Sequence, residues 1–305
     1  MPQWAQVVKL AFATWLGVLA WSIPAVAYVR TTTEVSGVPV QWNERCVVVT
    51  IDQRGSKDLS LDEVAQVMAR AAANWTRRTS QCGGLALSTQ PARQILDVAP
   101  DGLPTVVFRN IEWRRPGKAP HDPSAIGLTT VMYVNTPGQP GDGTILDADI
   151  ELNNVNYTFT TSAATMPRAG TALADLENTL THELGHVQGL AHTCWDHVTQ
   201  KAPLDDKGNP IPDCNGTVPD TVLATTMYPY ASMPGETSKR NLADDDVDGV
   251  CKVYAPLTLS CHPEIQGGCA VASPSPSRRR WPVSFVVVIA ASALALRARR
   301  RRRSC

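Results

Sequence analysis

An α+β fold is predicted by three patterns in this 305-residue chain. Strand and helix signals alternate without an internal repeat, one early helix opens on a capping box, and an amphipathic helix near residue 180 carries a cluster of histidines. The segment 46–51, Cys-Val-Val-Val-Thr-Ile, reads as a strand. Ser60-Leu-Asp-Glu63 is a capping box, and the helix it opens runs to about Thr79 with Val64, Val67, Met68 and Ala71 on one face. Strand signals follow at 85–87, 105–108 and 126–134. At 145–152 apolar and acidic residues alternate with period two, the mark of an exposed or edge strand. Residues 175–191 then carry Leu176, Leu180, Leu184, Val187 and Leu190 at three- and four-residue spacing, an amphipathic helix. This body, roughly 230 residues, suits one domain.

On that last helix, residues 182–192 read His-Glu-Leu-Gly-His-Val-Gln-Gly-Leu-Ala-His, an H-E-x-x-H-x-x-G-x-x-H motif without departures. His182 and His186 are four apart and so share a helix face, where their nitrogens can bind one ion. Gly189 can take backbone angles closed to other residues, which lets the chain leave the helix and bring His192 round as a third ligand. Three nitrogen ligands with a fourth position open describe a catalytic zinc site rather than a closed structural one. Glu183 stands beside the first ligand, placed to act as acid and base on water there. The other histidines, His121, His197 and His262, sit in Pro- or Cys-rich loop surroundings and read as surface residues, with His197 the one near the motif in sequence.

The long motif, followed by Ala-Thr-Thr-Met-Tyr-Pro at 224–229, resembles the metzincin clan of zinc endopeptidases, whose signature pairs it with a downstream Met-turn. Met227 is the turn methionine in that resemblance, lying beneath the metal. Met-Tyr-Pro followed by Leu242-Ala-Asp-Asp-Asp-Val-Asp-Gly-Val is similar to the matrixins within the clan. Relatives with a metal-binding tyrosine place it two residues after the methionine, where this chain has Pro229, so neither Tyr228 nor Tyr230 is carried over as a ligand. The resemblance spans roughly 40–254 of a catalytic domain set at 28–260. It implies a twisted, mostly parallel sheet with an antiparallel edge strand bordering the cleft, an active-site helix and a small C-terminal subdomain. It also implies a polypeptide substrate that pairs with the edge strand, and a specificity pocket walled by residues between His192 and Met227 and by 229–234. Hydrolysis would need no covalent intermediate, with Glu183 as general base and then acid. Matrixins are often held latent by a prodomain cysteine on the zinc; no such switch is expected here, since 28–44 is too short for a folded prodomain. A zinc-containing surface binding protein without useful turnover is the rival reading, and Glu183 argues against it.

The two ends carry other signals. Lys9 precedes an apolar run to Trp21 and the small-x-small ending Ala25-Val-Ala27, so 1–27 reads as a secretory signal, with an uncleaved anchor as the alternative. Residues 261–280 form a Cys/Ser/Pro linker containing Cys269. Residues 281–305 hold a 16-residue apolar stretch bracketed by arginines, marginal in length for a spanning helix. Cysteine, linker, apolar segment and arginine cluster in that order resemble myxobacterial sorting tails, in which Cys269 would be the processing or lipid-attachment point; a permanent membrane anchor is the alternative. Export, to the outside or the cell surface, follows on either. The formal charge of zero hides an acidic body: 28–268 holds 18 Lys+Arg against all 28 Asp+Glu, a net charge of −10. Such a body excludes a nucleic-acid partner, which wants a basic face. A monomer is expected.

Six further cysteines, Cys46, Cys82, Cys194, Cys214, Cys251 and Cys261, suit three disulfides in an exported domain, and 15 connectivities are open to them. Short-range pairing favours Cys46–Cys82, Cys194–Cys214 and Cys251–Cys261. Cys194 is also a sulfur candidate for the metal, made less favourable by the three histidines and by Cys214. Asp147, Asp149 and Glu151 on one strand face suit either a calcium ion, Ca(2+), or, preferably, plain solvation. Asp244, Asp246, Asp248 and Gly249 imitate an EF-hand opening, but the twelfth position is Ala255 instead of Glu; these aspartates instead fit the N-terminus of a last helix.

Overall fold

The computed structural model describes residues 28–92, 94–162, 165–254 and 285–292. Residues 1–27, read above as a secretory signal, the stretch with Cys261, His262 and Cys269, and most of the C-terminal tail lie outside the described residues.

The architecture is α+β, with one mixed sheet and few helices. Short β1 (Val29–Arg30) leads to β2 (Cys46–Ile51), then to helix α1 (Leu61–Thr79). The capping box forms as expected: the Ser60 hydroxyl accepts from Glu63 N–H and the Glu63 carboxylate accepts from Ser60 N–H at 2.8 Å. Four strands follow, β3 (Ala86–Pro91), β4 (Thr105–Phe108), β5 (Gly127–Val134) and β6 (Ile145–Leu152). The pair β7 (Tyr157–Thr160) and β8 (Ala172–Asp175) then leads into α2 (Leu176–Val187), the histidine helix, followed by β9 (Leu190–Ala191), α3 (Asp220–Leu223), α4 (Asp244–Val253) and β10 (Phe285–Ser292).

In the sheet β3, β2, β4 and β6 run parallel to one another, β5 pairs antiparallel with β6, and β10 pairs antiparallel with β5. The apolar faces of α1 and α2 meet over this sheet, with Trp75, Met68, Leu180 and Leu184 fully buried. The indole N–H of Trp75 donates to Thr181 O at 2.8 Å, so one large side chain pins the two helices together.

The period-two pattern of 145–152 does not mark an edge. β6 lies between β5 and β4, and Asp147, Asp149 and Glu151 are buried rather than solvated. Their carboxylates are taken up by the chain itself. Asp147 accepts from the N–H groups of Asp101 and Gly102, Asp149 from those of Ala99 and Thr105, and Glu151 from Arg109 and Arg115. Main-chain donors and guanidinium groups therefore take the place of the solvent expected on that face. His121, expected on the surface, is half-buried between Trp113 and Glu151. The antiparallel strand near the edge is β5, and eight residues of the apolar C-terminal stretch lie extended along it, Phe285 opposite Val134 and Ser292 opposite Gly127. Among the described residues no helix is long and apolar enough to cross a membrane.

Two of the three expected disulfides are corrected. Cys82 bonds to Cys251, across a sequence separation of 169, and Cys46 is bonded elsewhere, so neither Cys46–Cys82 nor Cys251–Cys261 forms. The reason is packing. The C-terminal end of α1 lies against α4, where Arg78 pairs with Asp244 at 2.6 Å, and this brings Cys251 to Cys82 with Cα atoms 5.2 Å apart. Cys194–Cys214 forms as expected.

Candidate metal centre

The N-cap of α2 is Asp175, whose carboxylate accepts from Asn178 N–H at 2.9 Å and is held by Arg240. The helix ends at Val187, and Gly189, with φ +86°, turns the chain away. A side chain could not be added there, since a Cβ would stand 2.6 Å from Val40 O. After this turn β9 pairs with β1, and His192 comes back over the helix.

His182, His186 and His192 are then brought together, with one nitrogen of each lying within 4.8 Å of the others. The rings are buried, and each Nδ1 is held by an oxygen: Thr226 O at 2.6 Å for His182, Leu190 O at 2.8 Å for His186, and Asp196 Oδ2 at 2.7 Å for His192. With Nδ1 so occupied, each Nε2 faces the shared centre. His186 Nε2 and His192 Nε2 are 3.1 Å apart, and His182 Nε2 is buried with no hydrogen-bond partner. Burial, then the neighbouring cations, push the His182 imidazole well below its usual range; His186 is pushed down to about 3 by burial and by His192. Both are neutral at ordinary pH, as metal ligands must be. Three converging imidazole nitrogens, one with no other partner, fit a metal ion of the zinc type. Cys194 is absent from the cluster because its sulfur is bonded to Cys214.

Glu183, also fully buried, lies against β5. Its Oε2 accepts from the Thr129 hydroxyl at 2.5 Å, and a Cβ placed on Gly127 would stand 2.3 Å from its Oε1. Thr129 and Gly127 were not legible as site residues, because their role depends on β5 passing the helix. Met227 sits beneath the histidines: a Cβ on Gly185 would meet its Sδ at 2.2 Å. Asp246 fixes this turn, accepting from Thr226 N–H at 2.7 Å and Met227 N–H at 3.3 Å. The aspartates open α4 as expected, with Asp244, Asp245 and Asp246 in its first turn; Asp246 is in addition a buried clamp on the methionine turn, while Asp244 is exposed and pairs with Arg78. Lys239 is buried behind the same turn and donates to the carbonyl oxygens of Tyr228 and Tyr230. Burial lowers its pKa to about 8 against the pull of Glu236, Glu183 and Asp246.

A cleft of about 890 Å³ opens beside His192, between the segment 30–34 and the loop carrying Trp195, Asp196 and Thr199. A much smaller pocket, about 10 Å³, lies between Asn178, Thr179, Ala231, Met233 and Pro234. The segment after His192 thus walls the large cleft, and 231–234 belong to the small pocket. His197 stacks on Trp195 at 3.8 Å and bonds Asp213, with a positive φ of 67°.

No family model matches the chain. Over 84 residues it is 33% identical to Metalloendoproteinase 1 of Glycine max, a stretch covering 28% of this chain and 18% of the soybean protein. The chain spans less than a fifth of that protein's length, so the likeness is local.

Proposed function

We propose that this protein is an exported, matrixin-like zinc endopeptidase of the metzincin type, which hydrolyses peptide bonds. The observation that carries this reading is the convergence of three buried imidazoles on one point, with a buried carboxylate beside them at the rim of β5. The likeness to a plant metalloendoproteinase supports it.

His182, His186 and His192 would hold the zinc ion, which when bound polarises the scissile carbonyl and acidifies water. Glu183 takes the proton of the attacking water and delivers it to the leaving amine. Thr129, bonded to one carboxylate oxygen, holds that side chain at the strand rim. Met227 and Asp246 support the histidines from below and have no chemical step. An extended polypeptide pairing with β5 would take the place that 285–292 holds along that strand. The disulfides of Cys46, Cys82–Cys251 and Cys194–Cys214 and the 1–27 signal pattern support export, and the arginine-flanked tail supports surface attachment or sorting. Nucleic acid is not a partner of so acidic a body, and the working unit is a monomer.

The test is a casein or gelatin assay with and without chelator, run beside Glu183→Ala. Wild type is expected to cleave in a chelator-sensitive manner, and Glu183→Ala to keep its metal and lose about 10²–10⁴-fold in rate. Retained hydrolysis in Glu183→Ala would remove Glu183 from its role. No chelator-sensitive cleavage of any protein would shift the reading to a zinc-containing surface binding protein.

A further inference from the structure

The three histidines are not held alike. His182 and His186 ride on α2, and their Nδ1 atoms face main-chain carbonyls of Thr226 and Leu190. His192 lies beyond the helix, and its Nδ1 faces a side chain, Asp196 Oδ2, at 2.7 Å. We propose that Asp196 is the positioning residue for the third metal ligand, and that the Cys194–Cys214 disulfide keeps it in place. The proposal rests on the reading that the three histidines hold zinc.

A neutral imidazole that presents Nε2 to a metal carries its proton on Nδ1, and a carboxylate is the strongest acceptor a side chain offers for that proton. The bond selects the tautomer, fixes the ring plane and makes Nε2 more basic. Asp196 is itself fixed at its other oxygen, Oδ1, which accepts from Val198 N–H at 3.1 Å. Only 13% of its side chain is exposed.

Nothing helical holds residues 192–196, so this short run needs an anchor. Cys194, midway between His192 and Asp196, is fully buried and bonded to Cys214. Around that bridge Trp195 N–H donates to Pro212 O at 2.8 Å, and Cys214 N–H donates to Trp195 O at 3.0 Å. The disulfide therefore sets the backbone from which Asp196 reaches back to the histidine. The second bridge, Cys82–Cys251, joins α1 to α4 and has no such link to His192.

The experiment measures zinc affinity of the full chain by competition with a chromophoric chelator, without reference to activity. Asp196→Ala is expected to weaken zinc binding roughly 10–100-fold. Asp196→Asn, which keeps the shape and an acceptor for Val198, is expected to weaken it less, and Asp196→Glu to recover part of the loss. Cys194→Ser with Cys214→Ser should weaken zinc as Asp196→Ala does, whereas Cys82→Ser with Cys251→Ser should leave zinc affinity unchanged. A proton resonance from His192 Nδ1 in the zinc-loaded wild type should shift in Asp196→Asn, while metal-free thermal midpoints stay alike. Zinc affinities of Asp196→Ala and Asp196→Asn within twofold of wild type would overturn the positioning role. Equal zinc loss in the two disulfide variants would overturn the part given to Cys194–Cys214. If wild type binds no zinc at all, the three-histidine reading fails with it, so the two failures are told apart.

Discussion

Gly127 is the residue at which the sheet and the helix come closest to the candidate chemistry. A methyl group there would stand 2.3 Å from Glu183 Oε1 and 2.8 Å from its Cδ, distances that no side chain tolerates. Gly127→Ala should therefore push the carboxyl group out of place while leaving the three histidines alone. The expected result is a loss of about 10–100-fold in kcat, less than the roughly 10²–10⁴-fold that removing the general base costs, with zinc content unchanged by metal analysis. Unchanged kcat would show that Glu183 can act from another position. His182 and His186 were legible in the sequence because helical spacing puts them on one face, and Glu183 and His192 because they complete the motif around that pair. Gly127 and Thr129 were not, since their role depends on β5 passing the helix, nor was Asp196, whose bond to His192 depends on the path of the chain beyond the helix; Asp246 stood out in the sequence, but as part of the start of the last helix and not as a clamp on the methionine turn.

At the scale of elements, β6 shows why an alternating pattern can mislead. Apolar and acidic residues alternating with period two ordinarily mean one wet face. Here the loop 97–105 folds over that face and offers its N–H groups to Asp147 and Asp149, and Arg109 and Arg115 close on Glu151. Such capping comes from distant chain and leaves no trace in the strand itself. Burial, then the neighbouring Asp147, pushes the Asp149 carboxyl up to about 8, and burial pushes Asp147 up to about 6. A carboxyl whose folded value is raised favours the fold while it is protonated. That contribution is present below about pH 4 and is lost as pH rises through about 8. Asp149→Asn, which cannot ionise, should flatten that limb, so its thermal midpoint should fall less than that of wild type between pH 5 and 8. Parallel midpoint curves would count against the shift. The strands β2 to β6 and the helices α1, α2 and α4 were legible, to within a few residues, because their patterns are local, whereas β7, β8 and the extended run 285–292 were not; Cys194–Cys214 was legible from its short spacing, and Cys82–Cys251 was not, because the meeting of α1 and α4 decides it.

For the whole molecule, β5 is the strand on which two demands fall. It borders Glu183 at Gly127 and Thr129, and it carries 285–292 along its other side, with Ser292 opposite Gly127. A chain ending at residue 268 would leave that side open for an extended peptide. Its kcat/KM on an unstructured polypeptide should exceed that of the full chain severalfold at equal zinc loading; equal values would mean that the tail does not compete for the strand.

The bond between Cys82 and Cys251 also changes what a cut means. It closes a loop that contains the whole of the histidine helix, β3 through β9 and the methionine turn. On the chain-entropy view, closing so long a loop is worth about 5 kcal/mol. A single nick anywhere inside it leaves both fragments on one covalent molecule, still folded around α1 and α4. Surface loops inside it can thus be cut without shedding either half of the candidate metal site.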